Sequence, residues 1–189
     1  MPLIYLVRHG RIADVPADPL DPELGEQGLE QARAAARELN AHLPHPLPIL
    51  TSPMRRCRQT AAPLAELWQA TPVVEPRVIE VPAPRQPGLQ REQWLKRLLA
   101  ADWTQADEGD NGAAVAAWRR GVREAILACG GDTVIFTHFV PINVIVGLAL
   151  GQDSVCCFRP DNGSVTVVET SPEGIRLVER GREVQTRVL

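Results

Sequence analysis

The sequence predicts an α/β protein: a three-layer α/β/α sandwich around a mostly parallel sheet, with an antiparallel strand at one edge. Two observations predict it. Short apolar runs such as Leu3-Ile4-Tyr5-Leu6-Val7 and Val134-Ile135-Phe136 alternate with longer stretches of helical periodicity, which is the pattern of βα units whose sheet is covered on both faces. Near the C-terminus the alternation stops, and two strand-like runs follow each other across Ser171-Pro172-Glu173-Gly174, a hairpin-type turn.

The elements follow in order. Residues 3–8 read as a buried strand that ends abruptly in Arg8-His9-Gly10. Residues 11–24 are an acidic, proline-spaced loop. A helix is expected over 25–42, with Leu29, Ala32, Ala36 and Leu39 on one face. The segment HLPHPLP at 42–48 cannot continue it. Residues 49–51 form a short strand, and Ser52-Pro53 then opens a helix to about Gln69, with serine as N-cap and proline in the first turn. A third strand is expected over 73–79, then a proline-rich loop over 81–90. Helices over 91–101 and 113–128 are split by the polar segment DEGDNG, and Gly130-Gly131 caps the second. A buried strand at 133–138 leads into a helix at 141–150, and the late strands cover 163–169 and 174–180. No repeat, low-complexity tract or linker marks a second unit, so residues 1–189 are read as one domain.

Composition narrows the function classes. The 189 residues are 44% hydrophobic and 23% charged, as in ordinary soluble domains, and the formal net charge of -3 gives no pull toward nucleic acid or anionic membrane. Lys96 is the only lysine; the other basic groups are arginines, the better fork for phosphate. Cys57, Cys129, Cys156 and Cys157 make no CxxC pair, so they read as reduced, mostly buried side chains of a cytoplasmic protein rather than a metal site. The N-terminal run is too short for a signal peptide and reaches charge at once. VIFTHFVPINVIVGLALG is the one candidate membrane span, but His138, Pro141 and Asn143 interrupt it, and a strand turning into a helix explains it better.

In open α/β sheets, ligands bind beyond the carboxyl ends of the strands. Those ends hold the chemistry: Arg8-His9-Gly10, then Thr51-Ser52-Pro53 with Arg55, Arg56 and Arg58 behind, then Glu80, then Thr137-His138-Phe139. Two histidines, several arginines and one carboxylate suit a phosphoryl group. Arginines clamp its oxygens, a histidine attacks phosphorus and a carboxylic acid protonates the leaving oxygen. Any one of these residues alone reads as a solvated loop or helix-surface group; their coincidence at four strand ends carries the inference.

LVRHG after the first strand resembles the signature of the histidine phosphatase superfamily, which includes the cofactor-dependent phosphoglycerate mutases. LGEQGLEQA at 24–32 is similar to the family's LTxxGxxQA, SPMRRCRQTA at 52–61 to its SPLxRAxQTA, VIFTHF at 134–139 to the strand ending in SHG, and NGSVTVVE at 162–169 to its late edge strand. The resemblance implies a phosphoglycerate mutase-like fold. It also implies His9 as the nucleophile that becomes phosphohistidine, Arg8 and Arg56 as the phosphoryl clamp, and His138 as a second pocket histidine donating to the transferring oxygens. Glu80 takes the place of the general acid that later serves as base. Arg56 rather than Arg55 aligns with the arginine before Ala, here before Cys57. Neither metal nor cofactor is implied.

Three departures bear on specificity. Arg11 and Ile12 stand where the family has Glu or Gln and then Thr or Ser; Phe139 replaces a frequent Gly; Gly25 replaces a Thr and removes an N-cap. Arg11 binds a second anion or pairs with Asp14, Asp18 or Asp21, the pairing being slightly favoured. Trp94, Leu95, Leu98 and Leu99 form an apolar stripe that packs in the core or roofs the site. Mutases of the family carry longer insertions, whereas about 57 residues separate Glu80 from His138. The expectation is therefore a metal-independent phosphomonoesterase of the histidine acid phosphatase type, acting on a small phosphorylated metabolite. Mutase-type phosphoryl transfer and a non-catalytic phosphate-binding module are the alternatives. No nucleic acid or membrane partner is expected; the oligomeric state stays open, a dimer being one option.

Overall fold

The computed structural model describes residues 1–84, 88–109 and 111–184. Among them, six strands form one sheet in the order β3-β2-β4-β1-β5-β6. They are β1 (Leu3–Arg8), β2 (Ile49–Thr51), β3 (Val73–Val74), β4 (Thr133–Thr137), β5 (Val165–Ser171) and β6 (Gly174–Glu179). β1, β2, β3 and β4 run parallel. β5 pairs antiparallel with both β1 and β6, so the hairpin closes one side of the sheet.

Side-chain alternation fixes the two faces. Val7, Ile49, Val134 and Phe136 pack under α1 (Glu26–His42) and α2 (Arg55–Trp68). Ile4, Leu6 and Ile135 face the other core, built with α3 (Gly88–Ala100), α4 (Trp103–Glu108), α5 (Gly112–Leu127) and α6 (Phe139–Leu150). β4 is central and buried at every position. No helix among the described residues is long and apolar enough to cross a membrane.

Several boundaries differ from expectation for local reasons. The third strand stops at Val74, because the Glu75 side chain accepts from the Arg77 N–H and sets a 3-10 turn over Pro76–Val78. α2 begins at Arg55 with Met54 at the cap position, not at Ser52-Pro53. The Ser52 N–H donates to the Phe136 carbonyl, extending the β2–β4 pairing. α6 begins at Phe139, two residues early; Pro141 sits in its first turn, where a missing N–H costs nothing. α3 starts at Gly88, and Arg85, Gln86 and Pro87 of the expected loop lie outside the described residues. The unforeseen α4 carries a capping box, Asp102 with Gln105, a signal present in the sequence as D-x-x-Q. Gly25 caps α1 without a side-chain bond, as the missing Thr implied, and Leu29 is exposed rather than on the buried face. All four cysteines are free, but only Cys57 is fully buried.

Candidate active site

β1, β2 and β4 end side by side, and they deliver Arg8-His9, Ser52 and Thr137-His138 to one edge of the sheet. The His9 N–H donates to the Thr137 carbonyl at 3.0 Å, which continues the β1–β4 ladder and fixes the loop start. The Gly10 N–H donates to Thr60 Oγ1 on α2 at 3.0 Å. Asn162 Nδ2 donates to the His9 carbonyl at 2.8 Å. The nucleophile candidate is thus pinned from β4, α2 and the segment before β5.

Gly10 is glycine because its backbone packs directly on α1. A Cβ there would lie 2.4 Å from the Gly28 carbonyl oxygen, and one on Gly28 would lie 2.0 Å from the Arg11 carbonyl oxygen. The His9 loop and α1 touch backbone to backbone, which accounts for the glycine within LGEQGLEQA.

His9 Nδ1 sits 2.8 Å from the Gly10 carbonyl oxygen. That contact places the proton on Nδ1 and leaves the lone pair on Nε2. Burial, followed by the charges of Arg56 and Arg8, pushes the His9 pKa down to about 3. The neutral imidazole is therefore the resting form near pH 7.

His138 is fully buried, and its ring meets that of His9 edge-on with centroids 5.2 Å apart. Arg56 Nη2 donates to His138 Nδ1 at 3.1 Å, so the proton lies on Nε2, which donates to Ser52 Oγ at 2.8 Å. Burial holds the His138 pKa well below the usual imidazole range, and the neighbouring His9, Arg56 and Arg8 add to it. Ser52, expected as a helix cap, instead holds this histidine. Cys57 Sγ lies 3.4 Å from the same Nε2; burial pushes its thiol above the usual range and keeps it protonated.

Arg56, in the first turn of α2, is buried against His138, whereas Arg55 turns outward to Glu23 at 3.4 Å and Arg58 is exposed. Arg8 Nη1 donates to the Pro160 carbonyl at 2.8 Å, and its guanidinium carbon lies 5.1 Å from the Phe139 ring centroid. Its Nε is buried with no hydrogen-bond partner among the described residues. An orphaned guanidinium N–H beside a second buried arginine is suited to an anionic oxygen.

Glu80 follows the 3-10 turn rather than a strand. Thr137 Oγ1 donates to the Val78 carbonyl at 2.7 Å and Trp118 Nε1 to the Ile79 carbonyl at 2.9 Å, fixing the approach to it. Its Oε1 accepts from the Val81 N–H at 2.9 Å and from the Val140 N–H, in the first turn of α6, at 3.3 Å. Burial raises the Glu80 pKa, while the two N–H donors and Arg56 and Arg8 pull against it. With Oε1 occupied as acceptor, a proton on this carboxyl sits on Oε2.

Arg8 and Glu80 line a cleft of about 440 Å³ together with Leu95, Leu99, Phe139 and Arg159. The apolar stripe of α3 therefore divides: Trp94 and Leu98 are core, Leu95 and Leu99 line the cleft. Arg11 is exposed, with its guanidinium 3.1 Å from Asp14 Oδ1 and 3.2 Å from Gln27 Oε1. Thr60 and Asn162 support the site without having been singled out, and Ser52 was singled out only as a strand-end and helix-cap residue; each lies inside a segment that carried the resemblance.

Known proteins resemble this chain in sequence and in fold. A 2,3-bisphosphoglycerate-dependent phosphoglycerate mutase from Thermoplasma acidophilum is 26% identical over 182 residues, covering 89% of this chain and 88% of its own. Phosphoserine phosphatase 1 from Hydrogenobacter thermophilus is 27% identical over 181 residues, covering 87% and 85%. The structure of a mycobacterial glucosyl-3-phosphoglycerate phosphatase superposes with a TM-score of 0.71 at 25% identity, covering 97% of this chain and 100% of that one. Residues 4–182 match the sequence pattern of one family over almost their whole length, and the chain belongs to that family, the histidine phosphatase superfamily (branch 1).

Proposed function

We propose that the protein is a metal-independent phosphomonoesterase of the histidine acid phosphatase type, acting on a small phosphorylated metabolite through a phosphohistidine on His9. The observation that carries this is the neutral, Nδ1-anchored His9 under the charges of the buried Arg56 and the half-buried Arg8, whose Nε–H is orphaned. Arg8 and Arg56 bind the phosphoryl oxygens, and His138 Nε2–H is the further donor at the edge of the group, shared with Ser52. His9 Nε2 attacks phosphorus while the protonated Glu80 gives its proton to the leaving oxygen, releasing the alcohol. Glu80, now a carboxylate, takes a proton from water as that water attacks phospho-His9. Inorganic phosphate leaves, and neutral His9 and protonated Glu80 are restored. The arginine charges stabilise the anionic transition state in a site already desolvated.

The test is trapping under excess chelator. Incubation with an alkyl phosphate and denaturation at alkaline pH, where phosphohistidine survives, should leave phosphate on His9 by mass spectrometry, with inorganic phosphate released. His9→Ala should lose both. Turnover that persists in His9→Ala, or that returns only with a divalent ion, overturns the reading. The similarity to a mutase adds one arm: if 3-phosphoglycerate with a bisphosphoglycerate primer is isomerised much faster than it is hydrolysed, the protein is a mutase.

A further inference from the structure

The cleft beyond Arg8 and Glu80 has a composition the phosphoryl chemistry does not need. Leu95 and Leu99 of α3 line one part of it, and Phe139 and Val140 at the start of α6, with Val184, line the rest. A small polar leaving group such as a serine or a glycerate would leave these side chains facing water. Phe139 lies against Arg8, its ring centroid 5.1 Å from the guanidinium carbon. Arg159 also lines the cleft, and its guanidinium takes part in no ion pair among the described residues. Its backbone is held in place: the Arg159 N–H donates to Glu183 Oε2 at 3.3 Å, and its carbonyl accepts from the Val184 N–H at 2.9 Å. An apolar wall with a second arginine besides Arg8 selects for a matching molecule.

Resting on the phosphatase reading, we infer that the leaving alcohol has an apolar body, which packs on Leu95, Leu99 and Phe139, and an anionic group, which meets Arg159. The body supplies affinity roughly in proportion to the apolar surface it hides, and the anionic group sets its orientation.

The test is a matched series: propyl, butyl and hexyl phosphate, then 6-phosphonooxyhexanoate, against phosphoserine and 3-phosphoglycerate. kcat/KM should rise about threefold to fourfold per methylene, the value for a CH2 moved from water to an apolar wall. The terminal carboxylate should add a further rise that Arg159→Ala removes, leaving hexyl phosphate little changed relative to butyl. Leu99→Ser should flatten the chain-length slope. A flat slope in the unmodified protein, with phosphoserine or 3-phosphoglycerate the better substrate, overturns the inference and leaves the phosphatase reading standing. If no monoester turns over, the phosphatase reading fails, and calorimetric binding of the corresponding alkyl phosphonates still reads the same slope: a rise with chain length supports the apolar body, and a flat series refutes it.

Discussion

Glu80→Gln keeps the side chain's shape and removes its titrating proton. The two N–H groups that now bond Oε1, from Val81 and Val140, find the amide oxygen of Gln in the same place, so the fold and the first turn of α6 should be unaffected. What changes is Oε2, the oxygen free to carry a proton. Loss of a general acid costs about 10²–10⁴-fold, or roughly 2.7–5.5 kcal/mol of barrier. That cost should fall on alkyl phosphates, whose alkoxide cannot leave unprotonated. A nitrophenyl phosphate leaves as a stable phenolate, so phosphorylation of His9 should be nearly spared while its hydrolysis slows, giving a burst of nitrophenolate followed by a slow steady state. The pH dependence supplies a second readout. Glu80 must be protonated to act, and burial raises its pKa above the usual carboxylate range, so activity on alkyl phosphates falls as pH rises through that raised value. Substrate ionisation affects both proteins alike, so the ratio of unmodified to Glu80→Gln kcat/KM isolates the Glu80 titration and should decline toward higher pH. Stability carries the same sign: the folded state binds this proton more tightly than the unfolded state, so the unmodified protein should lose Tm relative to Glu80→Gln as pH rises above about 4.5. Equal slowing of alkyl and aryl substrates, no burst and a flat ratio would refute Glu80 as the acid–base; Asp107, paired with Arg119 at 2.8 Å, would be a poor replacement.

Gly28→Ala should destabilise the protein by about 1–3 kcal/mol, an overpacking cost, because its Cβ meets the Arg11 backbone, while Gly130→Ala, with nothing within 4 Å, should be silent in a Tm comparison; equal Tm values would refute the close contact. Ser52→Ala should strand the buried His138 Nε2–H and cost about 1–3 kcal/mol, read as a Tm several degrees lower with near-native circular dichroism. An unchanged Tm would mean that the bond to Ser52 does not hold the ring.

The layered fold and the strand-end histidines were legible because they follow from local rules. β1 and β4 are apolar runs too short for helices, and the residues at their carboxyl ends need no long-range information to be located. The details that failed depend on partners distant in sequence. Ser52 looks like a helix cap in isolation; only the pairing of β2 with β4 brings His138, 86 residues away, to its hydroxyl. Glu80 was placed at a strand end by position alone, whereas Thr137 and Trp118, from β4 and α5, are what hold its segment. The stripe on α3 could not be divided between core and cleft from periodicity, since both sides of it are apolar. The α4 capping box, Asp102 with Gln105, is local and readable, but the expected helix ends at 101 and the polar segment 107–112 leaves too short a run to suggest another.

In the proposed mechanism the nucleophile and the acid need opposite things from one environment. His9 must be an unprotonated base to attack, and Glu80 must be a protonated acid to donate. A cationic site alone would satisfy the first and defeat the second, since Arg8 and Arg56 favour neutral His9 but ionised Glu80. Burial resolves the conflict because it penalises charge of either sign. For His9 it is the largest effect and the arginines reinforce it; for Glu80 it is again the largest and outweighs them. The carboxyl's two N–H bonds then limit how far its pKa rises, so that it can still release its proton to the leaving oxygen. Burial thereby shifts both groups toward the neutral form, His9 downward and Glu80 upward, before any substrate arrives. The arginines are left with the task that burial cannot perform, which is to balance the phosphoryl charge. Opening the site to water, as by replacing Leu99 at the cleft wall with a polar residue, should therefore move the two pKa values in opposite directions: His9 upward and Glu80 downward. The two limbs of the pH–kcat/KM profile would then approach each other, and NMR of the His9 ring would read the first shift directly. Two limbs moving in the same direction would show that the arginine charges, not burial, control the site.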